Sequence, residues 1–135
     1  MAEDWLLCVG QKAFIDKDGE VLIINDPQFG LDFPGGKLQE GEKDFEKALK
    51  REVREETNLE IEVGSPFTTW FNEFAPGHRN YGKKVYLVGF KCKYVSGEVK
   101  LSREHDKFEW VNKDNYTKVD DNSNYFRALV KYFQS

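Results

Sequence analysis

Residues 35–59, GGKLQEGEKDFEKALKREVREETNL, constrain this chain more than any other part of it. The stretch opens on Gly35 and Gly36, passes Gly41, and becomes a charged segment with no Gly or Pro over residues 44–57. Ala48, Leu49 and the many Glu, Lys and Arg are good helix formers. Asp44 stands where an N-cap belongs, just before Phe45. Phe45, Ala48, Leu49 and Val53 recur at three- and four-residue spacing and so make one apolar face. At about 100° per residue, Glu52 and Glu56 lie one turn apart on that face, with Glu55 beside them. A helix rich in Glu, Lys and Arg is usually a solvated face laced with i,i+4 ion pairs. The phase argues against that here. Carboxylates that continue an apolar stripe are partly desolvated and repel one another unless a cation neutralises them. Clustered carboxylate oxygens are hard ligands, suited to Mg²⁺ or Mn²⁺.

The residues ahead of the helix add to this. Pro34-Gly35-Gly36 reads as a sharp bend that lets the backbone approach a ligand closely. Lys37 follows, in place to meet a phosphate, and Gly41 leads into the helix. The whole stretch resembles the signature of the Nudix hydrolases: Gly, five residues, Glu, seven residues, then Arg-Glu-U-x-Glu-Glu-x-Gly-U, with U a bulky aliphatic residue. Gly36 and Glu42 match its opening, and Arg51, Glu52, Val53, Glu55, Glu56 and Leu59 match its close. Two positions depart from it. The spacer from Glu42 to Arg51 is one residue longer, and aligning the helix start places the extra residue at Lys43, before the cap. Asn58 stands where the family has Gly. Asn tolerates the left-handed conformation better than other residues with a Cβ, so the helix exit is expected to survive.

This resemblance implies Mg²⁺-dependent hydrolysis, with Mn²⁺ as a substitute, of a phosphoanhydride bond in a nucleoside diphosphate derivative. It implies that Glu52, Glu55 and Glu56, with the Gly36 carbonyl, hold metal, and that Arg51 pairs with Glu42 to support the acidic cluster. In similar proteins a Glu in a loop ahead of a Trp-bearing strand approaches the metal from the opposite side. Glu104, in the segment SREHDKFEWV, takes that place; its bland alternative is an exposed loop Glu. Glu52 or Glu104 then serves as general base. His105 titrates near neutrality, but a lone loop His is expected to be solvated. Among the cations, Lys37 and Arg79 are the candidates for substrate phosphates, with Arg79 also readable as an ordinary surface charge. Phe33, Trp70, Phe71 and Tyr81 offer faces for a base or sugar, although a strand aromatic is more often core.

The rest of the chain frames this stretch. Residues 5–15 and 20–25 read as two strands joined through the turn Asp16-Lys17-Asp18-Gly19. Residues 26–33 are a loop ending in a short strand. Residues 60–63 are a short strand ended by Gly64-Ser65-Pro66, and residues 67–74 an aromatic one. Residues 75–82 are the clearest loop, and residues 83–95 the longest strand, placed centrally. Residues 99–102 are strand or loop, 108–111 a strand and 112–123 a polar loop. Residues 124–134 form an amphipathic helix with Phe126, Leu129, Val130 and Phe133 on one face. This order predicts an α/β fold with a mixed sheet between helices, and the Nudix resemblance implies the same α/β/α sandwich. At 135 residues the chain is expected to be one domain, residues 1–135, with a real core.

Net charge is −4, so there is no basic footprint for nucleic acid. A polyanionic small-molecule nucleotide fits only through metal and a few local cations. Cys8 and Cys92 sit in apolar runs and read as buried free thiols in a reducing compartment. No apolar span reaches 18 residues, so no membrane partner and a cytoplasmic location are expected. Monomer and homodimer both remain open. The short chain resembles MutT-like nucleoside triphosphate pyrophosphohydrolases, with ADP-ribose or nucleotide-sugar pyrophosphatases second. A non-catalytic Nudix domain that binds a nucleotide or a protein is the rival, weakened because all three signature acids are kept.

Overall fold

The computed structural model describes residues 2–135. Its sheet grows from the hairpin. β1 (Cys8–Lys17) turns into β2 (Glu20–Asp26) through Asp18 and Gly19, both at positive φ (53° and 87°), as tight hairpin turns require. Asp16 Oδ1 accepts the Gly19 N–H at 3.1 Å. Past the turn the two strands part, for they pair only at Asp16↔Val21 and Lys17↔Glu20. The wedge that follows fills the split. β3 (Gly30–Asp32) pairs with β2, the chain bends at Pro34, and β4 (Gly35–Lys37) pairs with β1. β5 (Glu60–Glu73) is antiparallel to β6 (Lys84–Ser96), β6 is parallel to β1, and β7 (Lys107–Val111) closes the other edge of β2.

The resulting seven-stranded mixed sheet lies between two helices, as expected. Successive strand residues face opposite sides. Ala13, Ile15, Leu22 and Ile24 pack with Leu49 and Val53 of α1 (Phe45–Thr57). Phe14, Val21 and Ile23 pack with Phe126 and Leu129 of α2 (Asn124–Gln134). Both faces are covered, which is why these strands read as unbroken apolar runs. Asp44 caps α1 by accepting the Lys47 N–H at 3.1 Å, and Asn58 ends it at φ 67°. Phe45, assigned to the apolar face, is 54% exposed; the face that meets the sheet starts at Ala48.

Several boundaries differ from expectation. Gly64-Ser65-Pro66 does not end a strand. β5 runs through it with register shifts, because Gly64 lies so close to the Lys91 carbonyl that a Cβ would stand 2.4 Å away. β5, at 14 residues, is therefore the longest strand, and β6, at 13, lies between it and β1. β1 begins at Cys8 rather than residue 5, since Cys8 already pairs with Val85 near the start of β6 and the preceding residues have no partner strand. Gly35 and Gly36 are strand, with the bend confined to Pro34. Residues 99–102 are loop, and a 3-10 turn at Tyr116–Val119 interrupts the polar segment after β7. Cys8 is exposed and only Cys92 is buried; both are free. No helix among the described residues is long and apolar enough to cross a membrane.

Candidate active site

α1 turns its C-terminal half toward β4. Glu56 is buried, and its Oε1 accepts the Gly35 N–H at 2.7 Å. Only glycine permits this approach: a Cβ at Gly35 would stand 1.9 Å from the Gln11 carbonyl oxygen, and φ there is 144°. Glu52 lies against Gly36, where a Cβ would meet its Oε2 at 2.6 Å. Arg51 binds Glu42 at 2.8 Å, Glu55 at 3.0 Å and Glu52 at 3.1 Å. The Glu42–Arg51 pair therefore forms despite the longer spacer, and Lys43 is absorbed in the loop ahead of the cap. The three signature carboxylates are not equivalent. Glu56 points into the protein, Glu52 sits at the rim beside Gly36, and Glu55 lies outward on Arg51 with its side chain 57% exposed.

The loop before β7 meets this face from the other side. It is fixed by backbone bonds from Ser102 N–H to the Glu56 carbonyl (3.1 Å) and from Asp106 N–H to the Asn25 carbonyl (3.1 Å). Glu104 is exposed, with Arg79 Nη2 at 3.4 Å from its carboxylate. His105, expected in solvent, is buried. Its Nε2 is 2.9 Å from Asp32 Oδ2, and Lys12 Nζ holds the other Asp32 oxygen at 3.0 Å. A parallel set forms at Asp26, which receives Arg79 Nη2 at 2.8 Å and His78 Nε2 at 3.2 Å. Lys37 Nζ donates to Asn80 Oδ1 at 3.2 Å. Gly36, Lys37, Glu56, Arg79, Glu104 and His105 line one cleft, walled by Phe29, Phe74 and Tyr125. Glu52 and Glu55 are not part of that lining.

Burial is the largest single influence on Glu56, Glu52, Asp32, His105 and Lys37, but it does not always prevail. It pushes the Glu56 carboxyl up to about 7, with Asp32 adding repulsion while Lys12 and the Gly35 N–H pull it back. Burial likewise raises Glu52. At Asp32 burial acts upward, but the Lys12 charge and the His105 bond outweigh it and hold the group low. At His105 burial acts downward and the Asp32 bond and charge prevail, raising it. Lys37 is lowered, first by burial and then by Lys83 and Lys12. Two trios, Glu56–Glu104–His105 and Asp26–Asp32–His105, each bring one donor atom per residue within 4.8 Å of the others, close enough to hold a metal ion.

Sequence reasoning missed Lys12, Asp26, Asp32 and His78, and misjudged His105. Lys12 was a lone charge in an apolar strand and Asp32 a lone acid beside Phe33. Each signal is visible singly, but the pairing joins β1 to β3 and becomes visible only in the fold. Of the aromatics considered, Phe33 and Trp70 are core and Tyr81 is 62% exposed, while Phe71 packs on Trp5 with ring centroids 5.7 Å apart.

A family model of the NUDIX domain matches residues 12–131. The chain is 30% identical over 119 residues to the nucleoside triphosphatase NudI of Escherichia coli O139:H28 (strain E24377A / ETEC), covering 78% of this chain and 82% of that protein. The crystal structure of a MutT protein from Methanosarcina mazei Go1 superimposes with a TM-score of 0.77 at 26% identity, over 98% of this chain and 96% of that one. An ADP-ribose pyrophosphatase from Streptococcus suis 89-1591 shares the fold alone, with a TM-score of 0.68 at 18% identity over 96% of this chain and 91% of that one. Helix, glycine strand and sheet thus agree with a match that spans nearly the whole chain, and the protein belongs to the Nudix family as a MutT-like pyrophosphohydrolase.

Proposed function

We propose that this protein hydrolyses a nucleoside triphosphate to the monophosphate and pyrophosphate, with Mg²⁺ as cofactor and Mn²⁺ as substitute. The observation that carries this is the convergence of Glu56, from the signature helix, and Glu104, from the facing loop, on one cleft with Lys37 at its side. The likeness to NudI, a nucleoside triphosphatase, supports the choice of substrate.

The residues present fit a divalent cation. Glu56 is a buried carboxylate whose burial alone drives it toward neutrality, and a cation beside it removes that penalty. Glu56 and Glu104 would hold the ion, with Glu52 and the Gly36 carbonyl at the rim and Glu55 adding charge. Such a cation supplies charge neutralisation at the phosphates and a more acidic attacking water.

The protein's own groups do the rest. Glu104 also takes the water's proton: among the described residues its charged partner is Arg79 at 3.4 Å, and the carboxylate oxygen that does not hold the ion is the one that accepts. Glu52 is the alternative base, but Arg51 occupies one of its oxygens. Lys37 offers its ammonium to a phosphate. Arg79 is fastened to Asp26 and so orients Glu104 as much as it meets substrate. Phe29, Phe74 and Tyr125 give the base an apolar wall. We place the enzyme in the cytoplasm, acting on free nucleotides.

The test is product release from a panel of nucleoside triphosphates, ADP-ribose and dinucleoside polyphosphates, with Mg²⁺ and with chelator. Chelator-sensitive pyrophosphate release, fastest from a triphosphate, is expected. Preference for ADP-ribose would replace the substrate class. A folded protein that binds Mg²⁺ and turns over nothing in the panel would point to a binding module.

A further inference from the structure

We infer that His105 is itself a metal ligand, so that Glu56, Glu104 and His105 make a mixed oxygen–nitrogen site for a first-row transition-metal dication. This deepens the metal site proposed above and rests on it.

The His105 side chain is 1% exposed, and its Nδ1 is buried with no hydrogen-bond partner. A buried polar atom left unpaired is costly and calls for an explanation. Glu56 Oε2 is 3.9 Å from it, too far for a hydrogen bond. Yet Nδ1 or Nε2, one Glu56 oxygen and one Glu104 oxygen lie within 4.8 Å of one another. Since Nε2 is taken by Asp32 at 2.9 Å, Nδ1 is the nitrogen available to that trio.

The other side of the ring is arranged as a ligating imidazole requires. In the neutral ring with its proton on Nε2, toward the Asp32 carboxylate, the lone pair sits on Nδ1, the nitrogen 3.9 Å from Glu56 Oε2. Asp32 is itself pinned by Lys12 at 3.0 Å, so the ring cannot easily turn. Metal-binding histidines are held in this way, the second nitrogen donating to a carboxylate that fixes tautomer and direction. The backbone is equally fixed, by the Ser102 and Asp106 N–H bonds on either side.

His78 supplies the contrast. Its Nε2 faces Asp26 at 3.2 Å and its Nδ1 accepts the Asn80 N–H at 2.9 Å, so no lone pair remains for an ion. The second trio, Asp26–Asp32–His105, is spent in the same sense. Arg79 and His78 occupy Asp26, while Lys12 and His105 occupy Asp32. Only the first trio combines free oxygens with a free nitrogen. Mg²⁺ gains little from an imidazole, whereas Mn²⁺, and more so Co²⁺ and Ni²⁺, gain affinity from it.

The test uses the full chain with Mn²⁺ and Co²⁺ as probes. Pulsed electron paramagnetic resonance of Mn²⁺-loaded wild-type protein should show coupling to a ¹⁴N nucleus. Labelling with ¹⁵N-histidine should convert that coupling to ¹⁵N. The coupling should persist in His78→Gln and vanish in His105→Gln, which still binds Mn²⁺ through its carboxylates. By calorimetry, His105→Gln should lower Co²⁺ affinity at least about tenfold and Mg²⁺ affinity by less than about threefold. Bound Mn²⁺ without nitrogen coupling, or equal losses for Co²⁺ and Mg²⁺, would overturn the inference and leave the Mg²⁺ site standing. Failure of the wild type to bind Mn²⁺ or Mg²⁺ at all would overturn both. Should His105→Gln not fold, ¹⁵N-histidine-labelled His78→Gln protein, whose one remaining histidine is His105, decides.

Discussion

Glu56 Oε1 accepts the Gly35 backbone N–H at 2.7 Å, joining the signature helix to the glycine strand. The bond explains why the glycines and the acids occur together. Gly35 brings β4 so near β1 that no side chain fits, and the N–H left on its other side is satisfied by the one signature carboxylate that faces inward.

Alanine at the two glycines should therefore act differently. At Gly35 the new Cβ meets backbone, the Gln11 carbonyl oxygen at 1.9 Å, at a φ that L residues avoid. Gly35→Ala should lose about 3 kcal/mol or more of stability. At Gly36 the new Cβ meets the end of the flexible Glu52 side chain at 2.6 Å. Gly36→Ala should keep stability within about 1 kcal/mol while displacing Glu52 and lowering turnover. Denaturant unfolding in chelator, paired with a kcat assay, checks both; equal stability losses would refute the distinction.

The acids of the helix should also separate. Glu56→Gln keeps an oxygen for the Gly35 N–H and removes a buried charge, so the metal-free variant should be at least as stable as wild type. Its Mg²⁺ affinity and kcat should fall by about a hundredfold. Glu55, outward on Arg51, should cost about tenfold or less when changed to Gln. Mg²⁺ titration calorimetry and steady-state kinetics decide, and the reverse ranking would mean that Glu55 is the principal ligand.

At saturating Mg²⁺, Glu104→Gln should lower kcat by about 10² to 10⁴ with nucleotide KM little changed, the mark of a lost general base, and should also weaken Mg²⁺ binding. If kcat is unchanged, Glu104 returns to the surface and Glu52 becomes the base.

How much of this was legible follows from where each contact comes from. The Asp44 cap, the α1 face from Ala48, the Asn58 exit and the hairpin at Asp18-Gly19 are local, and local spacing shows them. The bulge at Gly64 depends on the Lys91 carbonyl of the neighbouring strand, so the sequence there resembles a strand end. The buried polar groups are the extreme case. His105 meets Asp32 across 73 residues and His78 meets Asp26 across 52, and no periodicity links such positions. A loop histidine with no visible partner reads as solvated; the carboxylate that buries it comes from another strand.

The two thiols give the last prediction. Burial pushes the Cys92 thiol up to about 12 from 9.0, whereas Cys8 is exposed at the start of β1. One equivalent of a thiol reagent should therefore react quickly with the native protein near pH 8, at Cys8, and the second only on unfolding. The same shift sets a pH dependence. The folded-state value lies above the unfolded one, so the Cys92 contribution is complete below pH 9 and is lost as pH rises toward 12, because the unfolded thiol ionises first. The decline should approach about 1.4 kcal/mol per pH unit in that window, and Cys92→Ala should remove that part of the slope. Two equally fast thiols in the native protein, or an unaltered alkaline slope in Cys92→Ala, would place Cys92 in contact with solvent.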